Sequence, residues 1–118
     1  MEKFGFERLD VYRGAIDLTK DIYDIFESLP YGLQKTLGDN LLRAAVSVAS
    51  NIAEGSGRRH KKEKKHFFEI SQGSAFECIP MLEILRAKKR ITDKDFGSLY
   101  ERCFIISKML SGLISHFS

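Results

Sequence analysis

Lysine and arginine residues crowd one short stretch in the middle of this sequence, directly after a Gly-Ser-Gly tripeptide. The cluster consists of Arg58, Arg59, Lys61, Lys62, Lys64 and Lys65. Only Glu63 opposes these cations within the stretch. Such side chains bind phosphates, and the backbone amides at the N-terminus of a helix attract anions as well. The stretch therefore predicts a phosphate-binding surface, with a merely solvated helix end as the alternative.

The place of this cluster in the chain strengthens the first interpretation. A helix is expected to begin close to Lys61, and the N-terminal end of a helix carries partial positive charge. Each cation near such an end costs about 0.3–1 kcal/mol at low salt. The cations therefore work against local helix stability, and an anionic partner gives a reason for them.

A second basic cluster closes the same region of the chain. Its members are Arg86, Lys88, Lys89 and Arg90. Residues 58–90 hold ten lysines and arginines against four acidic residues, a net charge of +6, whereas the whole chain has a net charge of +3. This asymmetry indicates an anionic partner, RNA or DNA. Since no aromatic residues interleave with the cations, contact with the phosphate backbone is expected rather than reading of bases.

Residues that could support catalysis are sparse. His60, His66 and His116 do not have the spacing of a metal-binding set, and Glu63 with His66 forms a single Glu-x-x-His pair where metal-binding bundles use two. No serine, cysteine or lysine has a recognisable activating base. The sequence therefore predicts a protein that is not an enzyme and that has no metal site and no cofactor.

The cysteines and the apolar segments bear on the compartment. Cys78 and Cys103 occupy apolar helical positions, which predicts buried free thiols, with a disulfide between them as the alternative. No apolar run approaches the roughly 18 residues of a membrane span, and the charged start of the chain lacks the apolar core of a signal peptide. We therefore expect a cytoplasmic protein without a membrane partner.

Four amphipathic segments should position the basic clusters. Apolar residues recur at helical spacing in Leu9 to Leu29, Leu33 to Glu54, Lys61 to Lys88 and a segment that follows Thr92. With no strand pattern, the 118 residues predict one all-α domain over residues 1–118, an antiparallel up-down-up-down four-helix bundle. Consecutive turns alternate between the two ends of such a bundle. The two basic clusters are therefore expected at opposite ends.

Local signals refine the ends of these helices. Gly55 and Gly57 are expected to end the second helix, because glycine accepts the left-handed conformation that closes a final turn. Pro80 should kink the third helix, since it removes a helical hydrogen bond. Thr92, with Asp95 three residues later, resembles the capping box that begins a helix.

More apolar surface is present than one bundle core can cover. The first two helices have doubled apolar stripes, and Phe76, Pro80 and Ile84 fall on the outer face of the third helix. A closed ring of identical subunits would bury this surplus. The sequence therefore predicts a homo-oligomer.

Two stretches of small residues resemble a known family. RAAVSVASNIAEGSGRR begins at Arg43, ISQGSAFE begins at Ile70, and LDVYRGA at the start of the first helix extends the likeness. Together they resemble the four-helix-bundle proteins encoded in intervening sequences of bacterial 23S rRNA genes, to which accessory proteins of diversity-generating retroelements are similar. The chain departs from that pattern at His60, where the family usually has a serine or similar cap, and at Pro80.

The resemblance implies a homo-oligomeric, pentameric bundle that associates with nucleic acid and has no known catalytic activity. The cationic clusters independently indicate the same kind of partner. We therefore expect a non-catalytic nucleic-acid-binding protein. The alternative is an oligomeric protein-interaction scaffold, such as an accessory subunit of a reverse transcriptase or another nucleic-acid enzyme, which the similarity to retroelement proteins implies.

Overall fold

Four long helices account for most of the chain in a computed structural model that describes residues 1–118. A 3₁₀ turn, Gly5–Arg8, precedes helix α1, Asp10–Ser28. Helix α2 is composite, because a helical turn at Tyr31–Leu33, a π-helical segment at Gln34–Gly38 and an α-helix at Asp39–Gly57 follow one another without a break. Helix α3 is Lys61–Ala87 and helix α4 is Asp93–His116. The all-helical class predicted from the sequence is confirmed.

Each helix packs against its two neighbours in a closed cycle, α1 to α2 to α3 to α4 and back to α1. Successive helices run in opposite directions, which is the predicted up-down-up-down arrangement. A polar bond spans each of the two seams that involve α2. Thr19 Oγ1 donates to the Ala45 carbonyl at 3.2 Å, and Ser71 Oγ donates to the Val48 carbonyl at 2.7 Å. These bonds fix the register of α2 against both of its neighbours.

The small residues of α2 allow close packing at the centre. Ala45 is fully buried, and Ser47 and Ser74 share a hydrogen bond of 2.8 Å between their hydroxyl oxygens across the α2–α3 seam. Larger side chains fill the rest of the core. Those with almost no exposed surface include Leu18, Ile22, Leu41, Ile52, Phe68, Leu82, Leu85 and Leu110. The bundle thus has one continuous apolar centre from end to end.

Both cysteines lie in this core as free thiols, as predicted. Cys78 Sγ lies 3.5 Å from the Ser74 carbonyl oxygen. The pKa of the Cys78 thiol is raised, first by its hydrogen bond with Cys103 and then by burial. Because the thiolate is the nucleophilic form, Cys78 is held as an inert packing group.

The turn between α2 and α3 differs from the prediction. Helix α2 continues through both glycines and ends where Arg58 becomes extended, with φ −76° and ψ 151°. No glycine in the chain has a positive φ, so the expected left-handed glycine is wrong. Gly55 is buried, and an added Cβ would lie 2.9 Å from Cε1 of Phe68. Glycine is needed there for space.

The turn between α3 and α4 does contain a left-handed residue, Lys89, with φ 58°. The Lys89 amide donates to the Arg86 carbonyl and the Arg90 amide to the Leu85 carbonyl, each at 2.9 Å. This pair of bonds is the Schellman arrangement that closes a helix C-terminus.

At the next helix start, Thr92 Oγ1 accepts a hydrogen bond from the Asp95 amide at 3.0 Å, which confirms the predicted cap of α4.

Two irregular positions lie within helices. The π-helical segment in α2 was not foreseen, and it packs on the end of α1, where Gln34 Nε2 donates to the Phe26 carbonyl at 2.9 Å. Pro80 lies inside α3, which continues on both sides of it. The kink expected at Pro80 stays a prediction.

Candidate nucleic-acid interface

The two basic clusters lie at opposite ends of the bundle. Helix α3 starts beside the first cluster and finishes at the second, and its 27 residues span about 40 Å at 1.5 Å per residue. The longest dimension of the molecule is 43 Å. We call the end formed by the α2–α3 turn the basic end, and the end formed by the α3–α4 turn the opposite end.

Two cations of the first cluster hold the α2–α3 turn together. Arg58 pairs with Glu54 at 3.0 Å and with Glu63 at 3.7 Å, and its guanidinium lies 4.8 Å from the centre of the Phe67 ring. Lys64 Nζ donates to the Ser56 carbonyl at 2.9 Å, which satisfies a carbonyl in the last turn of α2. Both side chains therefore have structural partners within the chain.

The other four cations of the cluster have no acidic partner. Arg59, Lys61 and Lys62 are exposed and Lys65 is half-buried, and none of them forms an ion pair or a side-chain hydrogen bond. Their charge is therefore available to an outside anion. These four residues form the free cationic set.

The backbone at this helix start adds to their effect. His60 is the N-cap of α3, with φ −93° and ψ 138°, and no side chain caps the helix. The amides of the first turn are therefore left for solvent or for an anion. The predicted combination of cations and unsatisfied amides is present, although only four of the six predicted cations are free.

The structure brings the N-terminal segment to the same end. Thr19 is level with Ala45 across the antiparallel α1–α2 seam, so Asp10 is level with Glu54. The 3₁₀ turn before Asp10 packs on α2 and, through Phe6, on Tyr12 in the first turns of α1. Lys3 and Arg8 are exposed there without an acidic partner.

Sequence reasoning did not select Lys3 and Arg8, because they lie far from the cluster in a part of the chain with an acidic balance. The signal that could have found them is the alternation of helix direction. It returns the start of the first helix to the end where the second finishes.

The opposite end has a different charge balance. Arg86 pairs with Asp93 at 3.0 Å and lies 4.6 Å from the centre of the Phe96 ring. Lys88, Lys89 and Arg90 are exposed without ion pairs. The open cleft beside them, about 1310 Å³, is also lined by Asp21, Asp24, Glu83 and Asp95. An anion approaching this end would therefore meet both signs of charge.

Neither a metal-ligand cluster nor a membrane-spanning helix is present in the bundle. No group of three or more His, Cys, Asp and Glu side chains is arranged to hold a metal ion. No helix combines the length and the apolar character that crossing a membrane requires.

Similarity to known proteins agrees with the fold. Residues 7–112 match the family described as 23S rRNA-intervening sequence protein. The chain belongs to this family. It also resembles the crystal structure of a protein of unknown function from the S23 ribosomal protein family of Bacteroides thetaiotaomicron, with a TM-score of 0.81 and 23% identity over 88% of this chain and 97% of the other. At that identity the likeness shows a shared fold.

Among curated proteins, none matches the chain. The match to the intervening-sequence protein family covers all of α1, α2 and α3 and most of α4. Its matched range begins at Glu7, so Lys3 and Phe4 of the N-terminal segment lie outside it.

Proposed function

We propose that this intervening-sequence protein binds RNA or DNA through phosphates, as a cytoplasmic homo-oligomer without catalytic activity. The observation that supports the proposal is the free cationic set of Arg59, Lys61, Lys62 and Lys65, which surrounds an uncapped helix N-terminus. Its charges have no intramolecular use, and they oppose the dipole of α3. A bound phosphate would remove that conflict.

Binding of this kind does not read sequence. Phosphate contacts from lysine and arginine position a nucleic acid and release its counterions, so affinity falls as salt rises. Amides at the start of α3 would add hydrogen bonds to the same phosphate. The expected ligand is a nucleic-acid backbone of any sequence.

Exposed apolar residues support the oligomer. Phe76 and Ile84 on α3 are 58% and 48% exposed, Pro80 between them is exposed, and Phe104 on the neighbouring helix is 55% exposed. An identical subunit packed on this surface would shield it from water. A ring, pentameric as the resemblance implies, would repeat the basic end in every subunit, and several weak phosphate contacts would then act together.

The deciding experiment compares two quadruple variants. The first replaces the free cationic set by alanine and keeps Lys64, which holds the turn. The second removes the same charge elsewhere, by alanine at Lys20, Lys35, Arg43 and Lys94, all of them exposed. Filter binding of one labelled strand is measured from about 50 to 200 mM salt.

We expect the first variant to bind more weakly and to have a flatter salt dependence, and the second to remain close to the original protein. For a single strand, each phosphate contact adds about −0.7 to the slope of log affinity against log salt concentration. Losing four contacts per subunit would therefore reduce the change in affinity over this salt range by a factor of roughly fifty. Equal affinities and slopes for the two variants would reject the basic end as the binding surface. Light scattering that gives a mass near 13.5 kDa would reject the oligomer.

A further inference from the structure

An exposed aromatic ring stands at the basic end. Phe4 has 74% of its surface exposed. Its ring stacks on Phe6, with the centres 5.7 Å apart and the planes within 3° of parallel, and Phe6 in turn packs on Tyr12 at 4.9 Å. One face of the Phe4 ring is thus supported from within, and most of its remaining surface is in water.

The backbone holds this ring in place. The Phe4 amide donates to Glu7 Oε1 at 3.1 Å, and the Glu7 amide donates to the Phe4 carbonyl at 3.1 Å. Phe4 therefore belongs to a closed turn, and its ring is oriented before any ligand arrives. A ligand that stacks on it would lose little of its binding free energy to ordering the protein.

The surroundings of Phe4 determine which ligand fits. Lys3 and Arg8 lie in the same segment without ion-pair partners, together with Glu2 and Glu7, and the free cationic set lies at the same end of the bundle. A flat aromatic face beside cations is the combination with which proteins bind single-stranded nucleic acid, because the cations contact the backbone while the ring stacks on a base.

We infer that Phe4 stacks on a nucleobase of a single strand whose phosphates contact the basic end. The inference rests on the proposed function and narrows it to single-stranded RNA or DNA. In a duplex the bases are stacked on one another and have no free face for Phe4. Stacking on any base is favourable, so this contact adds preference for single strands without adding sequence preference.

The first test replaces Phe4 by alanine and measures binding of a labelled oligothymidine and of a duplex of the same length. We expect Phe4→Ala to weaken single-strand binding roughly tenfold and to leave duplex binding and the salt slope unchanged. Tyr23→Ala is the matched control, because Tyr23 is a 48% exposed aromatic residue on α1 that is followed by Asp24 and, one helical turn later, by Glu27. It should leave both affinities unchanged.

The second test uses the absence of tryptophan from the chain. In Phe4→Trp the introduced indole is the single strong fluorophore, and a base stacked on it should quench its emission when oligothymidine or oligouridine is added, but not when duplex is added. Single-strand affinity should match or exceed that of the original protein. This measurement reports stacking directly and does not depend on a loss of binding.

The outcomes separate the two proposals. If Phe4→Ala binds single strands as the original protein does and Phe4→Trp shows no quenching, the stacking inference is overturned while the phosphate surface stands. If Phe4→Ala lowers the light-scattering mass, Phe4 is a subunit contact and the inference is also overturned. If the unmodified protein binds neither strand nor duplex at about 50 mM salt, the proposed function itself fails.

Discussion

The turns at the two ends of α3 both reverse the direction of the chain, but with different backbone conformations. Two glycines lie in the last turn of α2, just before the α2–α3 turn, yet neither has a positive φ, and the chain leaves α2 through an extended Arg58. The α3–α4 turn contains no glycine, yet it closes through left-handed Lys89. A glycine near a helix end is therefore not by itself evidence for a left-handed residue. At Gly55 the need is for the absence of a Cβ beside Phe68.

The cations at the two turns also differ in how they interact with the dipole of α3. Cations that follow a helix C-terminus interact favourably with its dipole, so Arg86 to Arg90 are at least partly explained by the stability of α3. Cations that precede a helix N-terminus are unfavourable, and Arg59, Lys61, Lys62 and Lys65 have no carboxylate to offset this. Only at the basic end, therefore, do unpaired cations oppose the dipole of the helix beside them.

The largest effect on stability is expected at Gly55. Gly55→Ala forces a methyl group to within 2.9 Å of Phe68, and such overpacking costs about 1–3 kcal/mol, more than the roughly 1 kcal/mol that alanine gains over glycine in a helix. Gly57 has open space around it, so Gly57→Ala should raise the free energy of unfolding by up to about 1 kcal/mol. Urea unfolding at equal protein concentration measures both. If the two variants are equally stable, space is not the reason for Gly55.

A smaller change, this time a stabilisation, is expected at the α3–α4 turn. Lys89→Gly removes the cost of a left-handed side-chain-bearing residue, and we expect the free energy of unfolding to rise by about 0.5–1 kcal/mol after the greater entropy of unfolded glycine is included. Lys88, with φ −84°, is the neighbouring control, and Lys88→Gly should give no increase. Thermal unfolding followed by circular dichroism would detect the difference. A Lys89→Gly variant less stable than the original protein would contradict the account of this turn.

The smallest changes in stability are expected from alanine substitutions at the basic end, and they distinguish cations that hold the turn from cations of the free cationic set. Lys64→Ala breaks the bond to the Ser56 carbonyl and should lower the free energy of unfolding by about 0.5 kcal/mol. Lys61→Ala relieves the helix dipole and should raise it by a few tenths of a kcal/mol. Denaturant midpoints of the two variants, measured together, test the assignment. If Lys64→Ala stabilised the protein, Lys64 would have to be counted among the free cations.

Much of the fold follows from periodicity alone. The four helices and their alternating directions require only apolar spacing and short turns, and the close approach at Ala45 follows from side-chain size. The exit of α2 through extended Arg58 could not be predicted from local propensity. Glycine supports both a left-handed turn and a tight contact, and the contact here is made with Phe68, which belongs to another helix.

The candidate site was predictable only in part for a related reason. Charge count selects the six cations of the first cluster, but it cannot show that Arg58 contacts Phe67 or that Lys64 reaches Ser56, since these depend on side-chain packing in the turn. The exposure of the Phe4 ring could not be predicted from the sequence either. Its exposure depends on a single 3₁₀ turn, closed by the bond from the Phe4 amide to Glu7, and on the stacking of the ring on Phe6.

The π-helical segment Gln34–Gly38 bears on how this chain can change length. A π turn holds one residue more than an α turn, so it behaves as a single insertion accommodated inside a helix. Deleting one residue from the π turn would restore regular α-helical winding and leave the residues on either side close to their present positions. Gln34 could then keep its hydrogen bond to the Phe26 carbonyl, provided that the deletion spares it. A single deletion from a regular α-helical part of α2 would instead rotate one side of the helix by about 100° against the other. We therefore expect this junction to tolerate the loss of one residue better than the rest of α2.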